Sequence, residues 1–265
     1  MGIFGHSHAL RAIVLALGMA CLGPAGDLAA GTLIPSEAPD VTGGSAEPFG
    51  LFASTLSFGA LREKWLGVER KLDDERVQLA LCDGDRDRCV SPAALQFLAI
   101  VDNAKAREGR ARLGEVNRAI NLALRPMDDL AQYGAIDVWS SPLATFASGA
   151  GDCEDYAIAK FAALRHAGIS PDDLRIVIMR DTIRAEDHAV AAARLDGHWL
   201  MLDNRRMAMV EDVHVSNYRP TFVIDQYGVM RYADTPLLAV VPDRDLSPST
   251  ALDLAALPGL ISPAN

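Results

Sequence analysis

The stretch Gly149-Ala-Gly-Asp-Cys-Glu-Asp-Tyr-Ala-Ile-Ala-Lys-Phe-Ala-Ala-Leu-Arg-His-Ala-Gly168 joins a glycine-rich loop to a helical pattern. Asp152 occupies the position of an N-cap, apolar residues recur at helical spacing from Ala157 onward, and Gly168 provides a left-handed stop. We therefore predict a loop that leads into a buried helix, with Cys153 in the first helical turn.

Cys153 is a candidate nucleophile because of that position. Free backbone N–H groups and the positive end of the helix dipole stabilise a thiolate, which is the nucleophilic form of cysteine. The alternative is a small buried side chain that fills a gap at the helix start. The choice between the two depends on the rest of the chain.

Composition narrows the class of protein. The chain has 265 residues, half of them apolar, and a formal net charge of −10. This length supports one sizeable core. The negative charge, and the lack of Lys and Arg clusters interleaved with aromatics, argue against nucleic-acid binding. Proteins, small molecules or cations are the expected partners.

The N-terminus has the pattern of an export signal. A basic start precedes an apolar run from Ala12 to Leu22, and small residues follow as a cleavage site. After removal of the signal we expect no membrane insertion and a location outside the cytoplasm. A retained anchor or a lipid on Cys21 is the lesser alternative. The predicted boundaries are 1–30 for the signal peptide, 31–57 for a flexible leader, 58–235 for the folded domain and 236–265 for a tail.

Export changes the interpretation of the cysteines. Cys82 and Cys89 flank a turn-rich loop, and an oxidising compartment would allow them to close a short disulfide, although spacing alone does not decide this. Cys153 would then be the unpaired thiol. An unpaired thiol in an exported protein is retained for reactivity more often than an unpaired thiol in the reduced interior of a cell.

Helical periodicity dominates the first half of the domain, and β-rich segments dominate the second. Helices are predicted over 58–81, from Ser91-Pro92 and over 113–124. A connection follows at 126–148, and its aromatic residues either line a groove or fill the core. This order indicates an α+β fold with N-terminal helices packed on an antiparallel sheet. The predicted strands are 174–180, 187–194, 198–203, 219–224 and 227–232.

His188 and Asp203 complete a candidate triad with Cys153. A cysteine nucleophile needs a base for its proton and a third group that orients the base. Asp196-Gly197 is a hairpin turn that places residues 189–190 opposite residue 203, so His188 and Asp203 lie at the same end of a β-ribbon. The competing histidines, which pair less naturally with a carboxylate and a loop cysteine, are His166, His198 and His214.

These segments resemble a known family. Gly151-Asp-Cys-Glu-Asp-Tyr-Ala-Ile-Ala-Lys160, Asp187-His-Ala-Val190 and His198-Trp-Leu-Met-Leu-Asp-Asn204 are similar to the bacterial transglutaminase-like cysteine proteinases, and within them to periplasmic proteases that release a large adhesin. The resemblance implies a papain-like, transglutaminase-like fold and attack of a cysteine on a peptide carbonyl. The triad that it implies is Cys153, His188 and Asp203.

Three carboxylates beside the cysteine require a separate explanation. Asp152, Glu154 and Asp155 place negative charge within a turn of Cys153, which raises the pKa of the thiol. A hard cation removes that penalty, and Ca²⁺ suits carboxylate oxygens outside the cytoplasm. The resemblance implies a calcium-dependent protease with these three acids as ligands. The alternative is that they cap the helix and interact with its dipole.

The resemblance also implies partners. The expected substrate is the N-terminal region of a large cell-surface adhesin, whose release promotes biofilm dispersal. The expected regulator is the periplasmic domain of an inner-membrane cyclic-di-GMP receptor, and the expected location is the periplasm. Two alternatives use the same fold, namely acyl transfer to an amine, as in transglutaminases, and a non-catalytic binding module.

Overall fold

The computed structural model describes residues 46–233, in which six helices lie against an antiparallel sheet. The helices are α1 (Ala60–Gly84), α2 (Pro92–Lys105), α3 (Gly109–Ala123), α4 (Asp129–Tyr133), α5 (Pro142–Ser148) and α6 (Cys153–His166). The strands are β1 (Ala53–Thr55), β2 (Arg125–Pro126), β3 (Ala150–Gly151), β4 (Leu174–Asp181), β5 (Glu186–Leu195), β6 (His198–Leu202), β7 (Val210–Glu211), β8 (Tyr218–Asp225) and β9 (Gly228–Tyr232).

Seven strands form the sheet in the order β1-β9-β8-β4-β5-β6-β7, and β2 and β3 make a separate parallel pair. Every neighbouring pair in the large sheet is antiparallel. The helices precede most of the sheet along the chain, which confirms the predicted α+β class.

The hairpin of β5 and β6 has the predicted register. Asp196 and Gly197 both have positive φ, at 52° and 84°, as a tight two-residue hairpin turn with right-handed strand twist requires. Ala191 pairs with Leu202. Asp203 therefore follows the last residue of β6 at the end of the ribbon where β5 carries His188.

Helix α6 is enclosed on all sides. Every residue from Asp155 to Leu164 is buried, which is typical of a core helix rather than an amphipathic one. The helix contacts β4 and β5 as well as α2, α3 and α5. Small side chains let it approach the sheet closely, and those of β5 that share its core cluster are Ala189, Ala191 and Ala193.

The described part of the predicted flexible leader belongs to the folded domain. Glu47 makes a two-point ion pair with Arg175 at 2.7 and 2.8 Å, and β1 pairs with β9. The reason lies in the sheet, whose residues alternate between two faces, so that Val177 and its neighbours form a second apolar cluster on the face opposite α6. The side chains of this segment that cover the cluster are Phe49, Leu51 and Ala53.

The described part of the domain therefore begins at residue 46 rather than at residue 58. The remaining boundary predictions concern residues that lie outside the described range. They are the signal peptide at 1–30, the first part (31–45) of the leader predicted at 31–57, and the tail at 236–265.

The connection at 126–148 contains two short helices, α4 and α5, that its loop-like composition did not predict. Trp139 in this connection is 8% exposed and belongs to the core cluster. It also lines the cleft described below, so both predicted roles for these aromatics apply to Trp139.

Cys82 and Cys89 form a disulfide that closes the loop between α1 and α2. Cys153 is a free thiol. Within residues 46–233, no helix combines the length and the apolar character needed to cross a membrane.

Candidate active site

Cys153 is the first residue of α6, and its sulfur contacts the backbone of β5 near the start of that strand. The amide of Ala189 donates a hydrogen bond to Sγ. Ala189 directly follows His188, so this bond places the sulfur beside the backbone of the strand that carries the imidazole. Cys153, His188 and Ala189 line one cleft.

His188 and Asp203 form a buried pair. Nε2 of His188 lies 2.9 Å from Oδ1 of Asp203, and the two residues are 1% and 3% exposed. The other ring nitrogen, Nδ1, is buried and has no hydrogen-bond partner among the described residues. One nitrogen is thus held by a carboxylate while the other is free to accept a proton.

A cleft of about 330 Å³ joins the cysteine to the histidine. Acidic side chains and an indole surround its mouth, and Ile178 contributes an apolar wall. The residues that line it are Asp137, Trp139, Asp152, Cys153, Glu154, Ile178, Asp187, His188 and Ala189.

The environment of Asp203 keeps this carboxylate ionised. Oδ1 accepts the Arg205 amide at 3.0 Å, and Oδ2 accepts the Tyr218 hydroxyl at 3.2 Å. Burial opposes ionisation, but the hydrogen bond and charge of His188 outweigh it, so the pKa of Asp203 is lowered to about 2. The ring of Tyr218 also packs against the imidazole, with centroids 5.6 Å apart.

The thiol of Cys153 is held in its protonated form. Burial raises its pKa first, and the negative charge of Glu154 raises it further. The thiol donates a hydrogen bond to Oε2 of Glu154 at 2.8 Å. Activation of Cys153 therefore requires that the neighbouring negative charge be offset.

An acidic cluster lies beside the nucleophile. Carboxylate oxygens of Asp129, Asp152 and Asp155 all lie within 4.8 Å of one another. Each of the three side chains has one buried oxygen without a hydrogen-bond donor among the described residues. Gly151 makes room for the cluster, because a Cβ there would lie 2.6 Å from Oδ2 of Asp155.

The pKa values of the cluster reflect unbalanced negative charge. Burial, followed by the charge of Glu154, raises the pKa of Asp152 to about 9. Burial raises the pKa of Asp155 to about 7 against the stabilising hydrogen bond from the Ser140 amide, and it raises the pKa of Asp129 as well. Orphaned carboxylate oxygens with raised pKa values fit a hard divalent cation.

The cluster differs in membership from the predicted ligand set. Asp152 and Asp155 belong to it, whereas Glu154 directs a carboxylate oxygen at the Cys153 sulfur. Asp152 makes no side-chain hydrogen bond that caps α6. Simple capping, the alternative explanation, therefore does not account for Asp152.

Asp129 is the member that the sequence did not predict. It lies 23 residues before Asp152, and only the fold of α4 against the loop before α6 brings the two together. The competing histidines lie elsewhere. His166 packs edge-on against Phe97, His198 is an exposed residue near Glu211, and His214 is an exposed residue at the end of a short 3₁₀ turn.

Comparison with known proteins decides the family. Residues 78–228, more than half of the chain, match the family described as bacterial transglutaminase-like cysteine proteinase. The chain belongs to this family. The matched region includes Cys153, His188 and Asp203, and family membership makes the protein a transglutaminase-like cysteine protease. The triad roles of the three residues remain predictions.

Solved structures give more distant similarities. LapG from Legionella pneumophila, in an EGTA-treated form, is 26% identical over 55% of this chain and 78% of that chain, with a TM-score of 0.48. The calcium-bound form of the same protein is 23% identical over 55% of this chain and 82% of that chain, with a TM-score of 0.47. A putative cysteine protease from Cytophaga hutchinsonii is 16% identical over 54% and 53% of the two chains, with a TM-score of 0.33. A comparison with curated proteins gives no match.

Proposed function

We propose that the protein is a calcium-dependent endopeptidase in which Cys153, His188 and Asp203 act as the catalytic triad. The observation that carries the proposal is the His188 ring, which is bound to Asp203 through Nε2 and has a free, buried Nδ1 at the cleft that also contains Cys153. A base that is oriented on one side and free on the other is what a cysteine nucleophile requires.

The reaction begins with transfer of the thiol proton to Nδ1 of His188 and attack of the sulfur on the peptide carbonyl. The backbone N–H of Cys153, in the first turn of α6 where N–H groups have no intrahelical acceptor, donates to the developing oxyanion. The imidazolium then gives its proton to the leaving amine. Water attacks the resulting thioester with His188 as the base, which releases the acid and restores the thiol.

Asp203 keeps the proton of the neutral ring on Nε2 and stabilises the imidazolium. Three hydrogen bonds, from His188, Arg205 and Tyr218, fix its carboxylate. The carboxylate is already ionised at any pH at which the protein would work, because the pKa of Asp203 is about 2.

Ca²⁺ is the cation that we propose for the acidic cluster, and Asp129, Asp152 and Asp155 would hold it. Their unpartnered oxygens support this assignment. When bound, Ca²⁺ supplies positive charge that offsets the carboxylates next to the thiol. Glu154, the remaining acid of the predicted set, joins these ligands if its side chain turns from the sulfur to the ion.

The proposed substrate is the N-terminal region of a large cell-surface adhesin, and its release would promote biofilm dispersal. The proposed regulator is the periplasmic domain of an inner-membrane cyclic-di-GMP receptor, which would bind the protease in the periplasm. Family membership and the sequence resemblance support this proposal.

The test is to incubate the mature protein with the N-terminal region of an adhesin from the same cell, with calcium or with excess EGTA. We expect fragments only with calcium, and none from Cys153→Ala or His188→Ala. His198→Ala is the matched control, since His198 lies at the turn end of the same hairpin, and it should cleave normally. Cleavage by Cys153→Ala would refute the triad, and incorporation of a labelled amine at glutamine would favour acyl transfer.

A further inference from the structure

Lys160 is a fully buried lysine in the helix that carries the nucleophile. It lies two turns after Cys153 on α6 and is 0% exposed. Its Nζ donates to the carbonyl of Leu202 at 3.0 Å and lies 5.6 Å from the ring centre of Tyr156. Nothing in the proposed chemistry uses this side chain directly, so its presence in the core needs a reason.

A buried ammonium is costly unless another charge compensates it. Burial lowers the pKa of Lys160 to about 7, and the charge of Asp203 is what favours the protonated form. Conversely, Lys160 contributes to the lowered pKa of Asp203. The two charges, one on α6 and one after β6, are thus partners through space.

The contact with Leu202 gives Lys160 a second connection to the same carboxylate. Leu202 is the last residue of β6, and Asp203 is the next residue of the chain. Asn121, on the neighbouring helix α3, donates a hydrogen bond to the backbone carbonyl of Asp203 at 3.0 Å. The backbone that presents the carboxylate is therefore held from α6 and from α3.

We propose that Lys160 is a positioning residue for Asp203, in that its ammonium fixes the end of β6 and offsets the carboxylate charge while His188 is neutral. This inference rests on the proposed triad. Through Lys160, the helix that places the sulfur also places the third member of the triad. A displacement of about 1 Å in such a group lowers a rate by roughly a hundredfold.

Three variants of the mature protein test this role at pH 6.5, which is below the lowered pKa of Lys160. Lys160→Met removes the ammonium at similar volume, and Lys160→Gln keeps a donor for Leu202 without the charge. Lys105→Met makes the same exchange at an exposed lysine in the last turn of α2. The measurements are kcat and KM for cleavage of the adhesin region, and the ¹H–¹⁵N NMR signal of the His188 ring proton.

We expect Lys160→Met to lower kcat by about tenfold to a hundredfold with KM changed less than about twofold, and Lys160→Gln to recover part of the loss. The Nε2–H signal of His188 should shift or broaden in Lys160→Met and remain unchanged in Lys105→Met. The NMR measurement needs no substrate. If the wild-type protein fails to cleave the adhesin region, the proposed function is refuted, but the NMR signal still tests whether Lys160 positions Asp203.

Several results would overturn the proposal. They are an unchanged kcat and His188 signal in Lys160→Met, an effect confined to KM, or loss of folding in both Lys160 variants. The last result would assign the side chain to folding rather than to positioning.

Discussion

Sγ of Cys153 lies 2.8 Å from Oε2 of Glu154, the next residue in the chain, and donates a hydrogen bond to it. Nδ1 of His188 meanwhile has no partner among residues 46–233. The thiol proton is therefore held by a carboxylate rather than by the imidazole. We infer that Glu154 opposes formation of the thiolate until positive charge reaches the acidic cluster.

Glu154→Gln should make Cys153 more reactive in the absence of calcium. Removal of the negative charge lowers the pKa of the thiol, and one pKa unit corresponds to about a tenfold larger thiolate fraction near neutral pH. The measurement is the rate of iodoacetamide alkylation of Cys153 in EGTA, followed by intact mass. Glu63→Gln, at an exposed position of α1, should react like the wild-type protein. Equal rates for Glu154→Gln and the wild type would show that this carboxylate does not restrain the thiol.

Asp129→Asn should weaken calcium binding by about tenfold or more, equivalent to about 1.4 kcal/mol, because one of three converging carboxylates loses its charge. Isothermal titration calorimetry of the mature protein measures the change. Asp74→Asn, on the exposed side of α1, is the control for net charge. An affinity equal to that of the control would exclude Asp129 from the site.

The segment 46–57 should contribute to stability even though the sequence predicts it as part of a flexible leader. Glu47 and Arg175 make two charged hydrogen bonds, and the Trp199 indole donates to the carbonyl of Ala46 at 2.9 Å. A chain that begins at residue 58 should melt roughly 5 °C or more below one that begins at residue 46. Thermal unfolding followed by circular dichroism makes the comparison, and equal melting temperatures would mean that this segment is only loosely attached.

Lys160 should make stability depend on pH. Its pKa is lowered to about 7 in the folded chain, whereas an unfolded lysine has a pKa of about 10.4. Between these values the unfolded chain binds more protons, so the free energy of unfolding gains a component that rises with pH. Urea unfolding at pH 7 and pH 9.5 should show a smaller rise in Lys160→Met than in the wild type, with Lys105→Met like the wild type. The same rise in the free energy of unfolding between pH 7 and pH 9.5 in all three proteins would contradict the lowered pKa of the buried Lys160 ammonium.

Local patterns predicted most of the fold and the contact between His188 and Asp203. The periodicity after Ala157 and the glycine at 168 predicted α6, and the Asp196-Gly197 turn predicted the register that brings His188 to Asp203. These features depend on neighbours in sequence, which is why they can be recognised without coordinates. A two-residue hairpin turn fixes which residues of the two strands pair, and this pairing is sufficient to place two side chains at one end of a ribbon.

Long-range contacts were not predictable in this way. Asp129 joins Asp152 only because α4 folds against the loop before α6, and no periodic pattern encodes that approach. The same holds for Lys160, whose partner is a backbone carbonyl 42 residues away. A lysine within an otherwise apolar helix, and three acids around a cysteine, are the signals that could have indicated these contacts.

The segment 46–57 shows a third limit. The segment lies in 31–57, whose content of proline, glycine, serine and threonine predicts a mobile leader. The second apolar face of the sheet must nevertheless be covered, and Phe49 and Leu51 supply the cover. The apolar face that needs this cover is formed by the strands β4, β5 and β8, which lie more than a hundred residues further along the chain. Composition of the segment alone does not reveal it.

The meeting of Cys153 with His188 is tested most directly by 1,3-dibromoacetone, whose two reactive carbons bridge a thiolate and an imidazole only when both lie within its short reach. The measurement is mass spectrometry of the digested wild-type protein after reaction with one equivalent. We predict a single bridged pair of peptides that joins Cys153 to His188, and no bridge in His188→Ala. A bridge from Cys153 to His198 or His214, or an adduct that remains attached to Cys153 alone, would contradict the proposed triad.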